Sequence, residues 1–149
     1  MINTLKEKME LKNTMDNNYG IQKIPEIQKI VDHKEKYWGS ITSLTSTELL
    51  ALKKITMHAN TQSSMEYHVN KDEWYYIDSG KLKLGMRIGR AINRSVILNP
   101  GDVIHIPKGL MHMRIALEDT VIIEWSSKDD DSDSHIVEDG KTYIFKETE

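Results

Sequence analysis

The stretch SSMEYHVNKDEWYYIDSG, residues 63–80, decides how this chain is read. Parts of it alternate as a β-strand does, and Asn70-Lys71-Asp72 can turn the chain in its middle. Glu66 and His68 are two apart, so on a strand both leave the same face. Glu73 follows five residues after His68. If Glu73 enters the next strand on that face, three ligand-type side chains converge. Taken alone, the stretch also fits the polar face of a half-buried strand.

A second stretch bears on the choice. In GDVIHIPKGLMH, residues 101–112, Gly101 and Pro107-Lys108-Gly109 bracket one strand and a tight turn, and His112 opens the next strand. His112 would supply a fourth ligand. Two histidines and two glutamates suit a divalent ion of borderline softness, bound through imidazole nitrogen and carboxylate oxygen. The two carboxylates neutralise the dication, and the set leaves a position open for substrate. Zinc, manganese, iron, cobalt and nickel all fit such a set.

The rest of the chain agrees with a β fold. From residue 40 onward about nine short runs rich in β-branched or aromatic residues follow one another, separated by turn signals such as Asp78-Ser79-Gly80 and Asn99-Pro100-Gly101. No convincing helix lies between them. That spacing predicts an antiparallel sandwich or barrel. Residues 1–35 are more polar and predict a frayed or short helical arm, and residues 36–149 the barrel domain. Residues 126–134, SSKDDDSDS, read as a solvated acidic linker without the ligand spacing of a calcium loop. Beyond them, IVEDGKTYIF reads as a hairpin-like piece around Asp139-Gly140.

Composition narrows the function classes. The 149 residues hold no cysteine, which excludes disulfides, thiolate catalysis and cysteine-type zinc sites. Net charge is −3, and no helix-turn-helix pattern or basic segment is present, so nucleic acid is not the expected partner. No apolar run approaches the ~20 residues of a spanning helix. The first residues lack the apolar core of a secretory signal, so a cytoplasmic location is the expectation.

Together the two stretches resemble the paired motifs of the cupins. The first reads Glu66-x-His68-x(4)-Glu73-x(6)-Gly80, and the second Gly101-x(5)-Pro107-x-Gly109-x(2)-His112-x(3)-Ala116. Each spacing matches, with Glu66 where the family carries histidine and Ala116 where it carries asparagine. The resemblance implies an all-β, single-domain cupin, a double-stranded β-helix or jelly-roll barrel. It also implies Glu66, His68, Glu73 and His112 as metal ligands, and a homodimer built on edge strands and exchanged N-terminal segments.

Within the family the chain is most similar to the mannose-6-phosphate isomerases, including the cupin domain of the type II enzymes, which carry Gln-x-His. Residues 36–40 (KYWGS), residues 53–80 and the C-terminal VIIEWSS and HIVEDGKTY carry this likeness. Lys141 stands where that branch has arginine. The likeness implies a metal-dependent aldose–ketose isomerase or epimerase acting on a sugar or sugar phosphate. A metal-dependent oxygenase or lyase acting on a small organic acid, and a non-enzymatic small-molecule-binding cupin, are the alternatives.

Residues near the motifs complete the candidate site. Glu66 is either a ligand or the catalytic base. Tyr75, two past Glu73, is either a core aromatic or a phenol that meets substrate. Arg114, two past His112, either binds substrate or pairs with an acid such as Glu66 or Glu124. Lys83 and Arg87 could line the barrel mouth and bind substrate. His105 reads as a core aromatic. His58 and His135 read as surface residues, and the three tryptophans as core or interface.

Overall fold

In the computed structural model of this protein, residues 24–149 are described. They form twelve strands and one short 3-10 turn. The strands are β1 (Asp32–Lys36), β2 (Gly39–Ser46), β3 (Leu50–Met57), β4 (Thr61–Gln62), β5 (Met65–Tyr67) and β6 (Glu73–Ser79). They continue with β7 (Leu82–Ile88), β8 (Ile92–Leu98), β9 (Val103–Ile106), β10 (Met111–Ala116), β11 (Thr120–Ser127) and β12 (His135–Glu138). Two antiparallel sheets result, β1-β2-β3-β11-β6-β9 and β12-β5-β10-β7-β8, with β4 also paired to β10. The expected jelly-roll is the fold observed. Residues 1–23 of the expected arm lie outside the described residues, and β1 already belongs to the first sheet. Among the described residues no helix is long and apolar enough to cross a membrane.

Period-two alternation explains how the chain fills the space between the sheets. On β11, Thr120, Ile122, Glu124 and Ser126 are buried while their neighbours are partly exposed. The inward residues change character along the strand. Ile122 pairs in register with Ile55 of β3 and Ile77 of β6, at the apolar end. Glu124 pairs with Lys53 and Tyr75, at the polar end. On β10, Ala116 lies towards the apolar end and His112 towards the polar one. The barrel is thus closed at one end by Ile55, Ile77, Leu82, Leu84 and Ile122, among others. Each such side chain contributes roughly 1.5–3 kcal/mol by burial. The opposite end is left to charged groups.

The outer face of the second sheet is covered by the chain's own C-terminus, so the hairpin expected around Asp139-Gly140 does not form. After β12 pairs with β5, residues 139–149 cross the sheet instead. Gln62 donates to the carbonyls of Gly140 and Tyr143, and Asn93 donates to the Tyr143 hydroxyl at 3.0 Å. Phe145 lies over Gly85 and Met113, so close that a Cβ at Gly85 would meet the ring at 2.9 Å.

Gly80 closes the first motif for a steric reason. Its φ is +87°, and a Cβ there would collide with the Asp119 carbonyl and with Thr120. Gly80→Ala is expected to cost about 2–3 kcal/mol through backbone strain and this clash. A fall in the urea midpoint with an unchanged slope would show it; an unchanged midpoint would count against it.

Candidate metal centre

The triad is assembled by strand register. Glu66 of β5 lies directly opposite His112 of β10, so the two side chains project side by side. His68 follows two residues after Glu66, just past the end of β5. One ligand-type atom from each of Glu66, His68 and His112 lies within 4.8 Å of the other two. Glu73 reaches the same place from the other sheet, where it opens β6. Its Oε1 lies 2.7 Å from His112 Nε2 and 3.6 Å from His68 Nε2.

The imidazoles are held in one orientation. His68 Nδ1 is 2.9 Å from the carbonyl of Asp133, and His112 Nδ1 is 2.9 Å from the carbonyl of Leu110. A carbonyl only accepts, so each Nδ1 carries a proton and each Nε2 is turned to the triad, where the neutral ring offers its lone pair to an ion. Both Nε2 atoms are buried without a hydrogen-bond partner. His112 Nε2 nevertheless lies 2.7 Å from Glu73 Oε1; burial opposes a charge on the ring, but Glu73 outweighs it and holds the imidazole above the ordinary histidine value. Two buried imidazole nitrogens turned towards two carboxylates make a donor set that fits a divalent ion.

Both carboxylates are ionised. Burial pushes Glu66 up, but Arg114, the Ser134 hydroxyl and the imidazoles outweigh it and bring the group below the ordinary glutamate value. Ser134 Oγ donates to Glu66 Oε2 at 2.6 Å. Burial also opposes the charge on Glu73, and His112 and Lys71 outweigh it more strongly.

Above the triad opens a cavity of about 660 Å³, with Trp38, Glu66, His68, Lys71, Arg114 and Glu124 in its wall. Arg114 faces inward as expected. Its Nη1 donates to the Tyr75 hydroxyl at 2.9 Å and lies 3.9 Å from Glu124 Oε2, while its guanidinium sits 5.3 Å from the centre of the Trp38 ring. Tyr75 is fully buried beside Arg114 and Glu73. Burial raises its phenol well above the ordinary value and keeps it protonated. Tyr75 thus packs its ring in the core and turns its hydroxyl to Arg114.

Lys83 and Arg87 are not brought to the site. On β7, Leu82 and Leu84 face the core, so Lys83 and Arg87 share the opposite face with the C-terminal segment. Lys83 Nζ lies 5.4 Å from the Phe145 ring centre. Arg87 pairs with Glu138 at 3.0 Å and donates to the Tyr143 hydroxyl at 3.1 Å. His105 is likewise on the outside, stacked on Trp74 at 4.6 Å and bonded to Asp72, rather than in the core.

Two charged groups of the wall were not singled out as site residues from sequence. Lys71 is 6 % exposed, and its Nζ lies 3.3 Å from Glu73, 3.7 Å from Glu124 and 3.1 Å from Asp129. Burial disfavours its charge, but the three carboxylates outweigh burial and hold the ammonium above the ordinary lysine value. Glu124 is 3 % exposed, and its Oε1 has no hydrogen-bond partner. A glutamate at an inward position of the otherwise apolar VIIEW was the available signal.

The acidic segment is built into the site rather than serving as a solvated linker. The Asp133 carboxylate accepts from the backbone N–H groups of Val69, Asn70 and Lys71, fixing the loop between His68 and Glu73. Asp129 bridges Lys53 at 2.6 Å and Lys71 at 3.1 Å. Burial raises the Asp129 carboxyl, but the two lysines outweigh it, and its folded value lies below the unfolded one. Its stabilisation is therefore present above the ordinary aspartate value, about 3.9, and is lost as pH falls through the depressed folded value. Asp129→Asn is expected to flatten the dependence of the urea midpoint on pH below about 4.5. An unchanged slope would contradict this assignment.

Comparison with known proteins agrees with this architecture. The cupin family model matches residues 38–147. No curated protein matches the chain. Among solved structures, KdgF from Halomonas sp. is similar at 21 % identity and TM-score 0.55, over 62 % of this chain and 81 % of that one. The capsular polysaccharide assembling protein CapF from Staphylococcus aureus is similar at 19 % identity and TM-score 0.65, over 91 % of this chain and 41 % of that one. Oxalate decarboxylase from Bacillus subtilis is similar at 14 % identity and TM-score 0.64, over 92 % of this chain and 39 % of that one. Identities this low speak to the fold alone, and the chain spans only about two-fifths of the last two proteins. The two motifs, the paired sheets and the match across residues 38–147 lead to one conclusion: the chain belongs to the cupin family.

Proposed function

We propose that this protein is a metal-dependent isomerase or epimerase acting on a sugar or sugar phosphate, in the manner of the mannose-6-phosphate isomerases. A single observation carries the proposal. Two buried imidazole nitrogens are turned to two carboxylates at the floor of a cavity that Trp38 also lines. Glu66, His68, Glu73 and His112 would hold a divalent ion, with zinc, manganese, iron, cobalt and nickel as candidates. When bound, such an ion polarises a carbonyl or hydroxyl oxygen.

The chain's own residues divide the remaining work. Glu73, 1 % exposed and paired with Lys71, is out of reach of a substrate carbon. Glu66 lies on the cavity wall; its Oε1, which faces His68, would take the ion, and its other oxygen, Oε2, is the one that can take a proton from C2 of an aldose and return it to C1. Arg114 and Trp38 orient the carbon chain, and Tyr75 fixes Arg114 through its hydroxyl. A homodimer is part of the proposal, by family resemblance.

The test is a panel of pentoses, hexoses and their phosphates incubated in heavy water with added metal. Incorporation of solvent deuterium at C1 or C2 is expected, and its loss in Glu66→Gln with metal retained. Absence of incorporation across the panel, with Fe(II)-dependent oxygen uptake on a small organic acid instead, would replace the isomerase reading with the oxygenase one.

A further inference from the structure

We infer that the outer face of the first sheet is the surface through which two copies of this chain pair, about a two-fold axis between β11 and β6. The pairing rests on the homodimer of the proposed function, to which it assigns a surface, and on no other part of that reading.

Strand register assembles the face. Leu52 of β3, Trp125 of β11, Trp74 of β6 and His105 of β9 stand opposite one another in a single row across four strands. Lys54, Ile123, Tyr76 and Val103 form a second row beside it. Their chain neighbours Ala51, Tyr75, Ile106 and Glu124 are buried inside the barrel, so by alternation both rows lie outside. Trp74 stacks on His105 at 4.6 Å and lies parallel to Trp125 within 4°, at 6.3 Å. With a ring on either side, Trp74 has no open face for a sugar ring. The outer face of the second sheet is crossed by the C-terminal segment, whereas no segment among the described residues is bonded across these two rows. A contiguous apolar patch left open on a sheet marks a surface for a protein partner.

The pattern of the face selects a second copy as that partner. A two-fold axis through the middle of the two rows exchanges β11 with β6, β3 with β9, and one row with the other. Trp125 then meets Tyr76 of the second copy, Trp74 meets Ile123, and Leu52 meets Val103, so apolar faces apolar at each of these positions. Lys54 is exposed and has no ion pair among the described residues. The same axis sets it against His105, whose Nε2 lies 3.0 Å from the Asp72 carboxylate. The one lysine of the two rows therefore comes to rest beside a carboxylate at the opposite corner. A two-fold pair requires a patch that complements itself in this way, and an unrelated partner does not. Two such sheets can pack face to face with their strands nearly aligned, about 10 Å apart.

The experiment is sedimentation equilibrium of the full-length, metal-loaded protein and three variants. Wild type is expected at twice the chain mass, and acrylamide quenching of its tryptophans should fall as concentration rises through the pairing range. Tyr76→Glu, beside the axis, is expected to weaken pairing about a hundredfold or more while metal content stays that of the wild type. Lys54→Glu is expected to weaken it about tenfold or more, and adding His105→Lys to Lys54→Glu to bring it back within about threefold of wild type. A dimer that Tyr76→Glu and Lys54→Glu both leave intact would overturn this face and keep the homodimer on another surface. A wild-type monomer would overturn both; tryptophans shielded from acrylamide in that monomer would assign the face to residues 1–23 instead. If Tyr76→Glu loses its fold, the charge exchange between the exposed Lys54 and His105 decides alone. Pairing as expected without deuterium exchange on any sugar would overturn the isomerase reading and keep the face.

Discussion

His112→Ala is expected to abolish metal binding while the barrel still folds. The imidazole is 1 % exposed, its Nδ1 is tied to the Leu110 carbonyl, and its Nε2 is one of two nitrogens in the triad. Groups that only orient a ligand are worth about 10–100-fold in metal affinity, so loss of the ligand itself should exceed that range. Metal content should fall from about one ion per chain to less than a tenth of that. The thermal shift should separate the two proteins as clearly. A ligand at 100 times its dissociation constant stabilises by about 2.7 kcal/mol, which raises the midpoint of a chain this size by roughly 8 °C. Wild type should show that rise with added metal and His112→Ala should not. His105→Ala is the control, since His105 stacks on Trp74 outside the barrel. It should keep its metal. Equal metal content in wild type and His112→Ala would remove His112 from the centre.

Lys71→Met is expected to be the most destabilising single change in the cavity wall. The ammonium is the shared counter-ion of Glu73, Glu124 and Asp129. Methionine fills a similar volume, so the loss is one of charge rather than packing. Breaking a buried ion pair from one side costs about 3–5 kcal/mol, because the partner charges stay buried. For a chain of this length that corresponds to a midpoint lower by about 10–15 °C. The deficit should shrink when metal is added, because a cation bound at Glu73 replaces part of the missing charge. A midpoint within about 2 °C of wild type would mean that the three carboxylates are stabilised by solvent rather than by Lys71.

These two residues also mark the limits of what the sequence discloses. His112 was legible because its motif fixes a strand, a tight turn and a second strand at set spacing. Register then places it opposite Glu66. Lys71 was not legible, because its meaning comes from Glu124 and Asp129, more than fifty residues away. The acceptors that orient the imidazoles were hidden for a similar reason. They are the backbone carbonyls of Leu110 and Asp133, and a carbonyl leaves no trace in the residue type.

Other differences came from parity and context. Lys83 and Arg87 alternate with Leu82, Leu84 and Met86, so the apolar positions already pointed them away from the barrel interior. His105 sits between Ile104 and Ile106 in a run that looks uniformly buried, yet β9 is an edge strand whose outer residues meet solvent. The acidic residues 129–133 looked solvated because nothing in the sequence pairs them with Lys53, Lys71 or the backbone of residues 69–71. Long-range pairing settles such cases, and it depends on the order of strands in the sheets.

Glu66, His68, Glu73 and His112 are expected to hold one metal ion at the polar end of the barrel. The most direct measurement is anomalous diffraction from crystals of the protein grown with Mn(II) or Co(II). One peak is expected, about 2.0–2.3 Å from Nε2 of both histidines and from a Glu66 oxygen, with Glu73 completing the set. A map with no peak there, and water or Glu73 hydrogen-bonded to the two nitrogens instead, would contradict it.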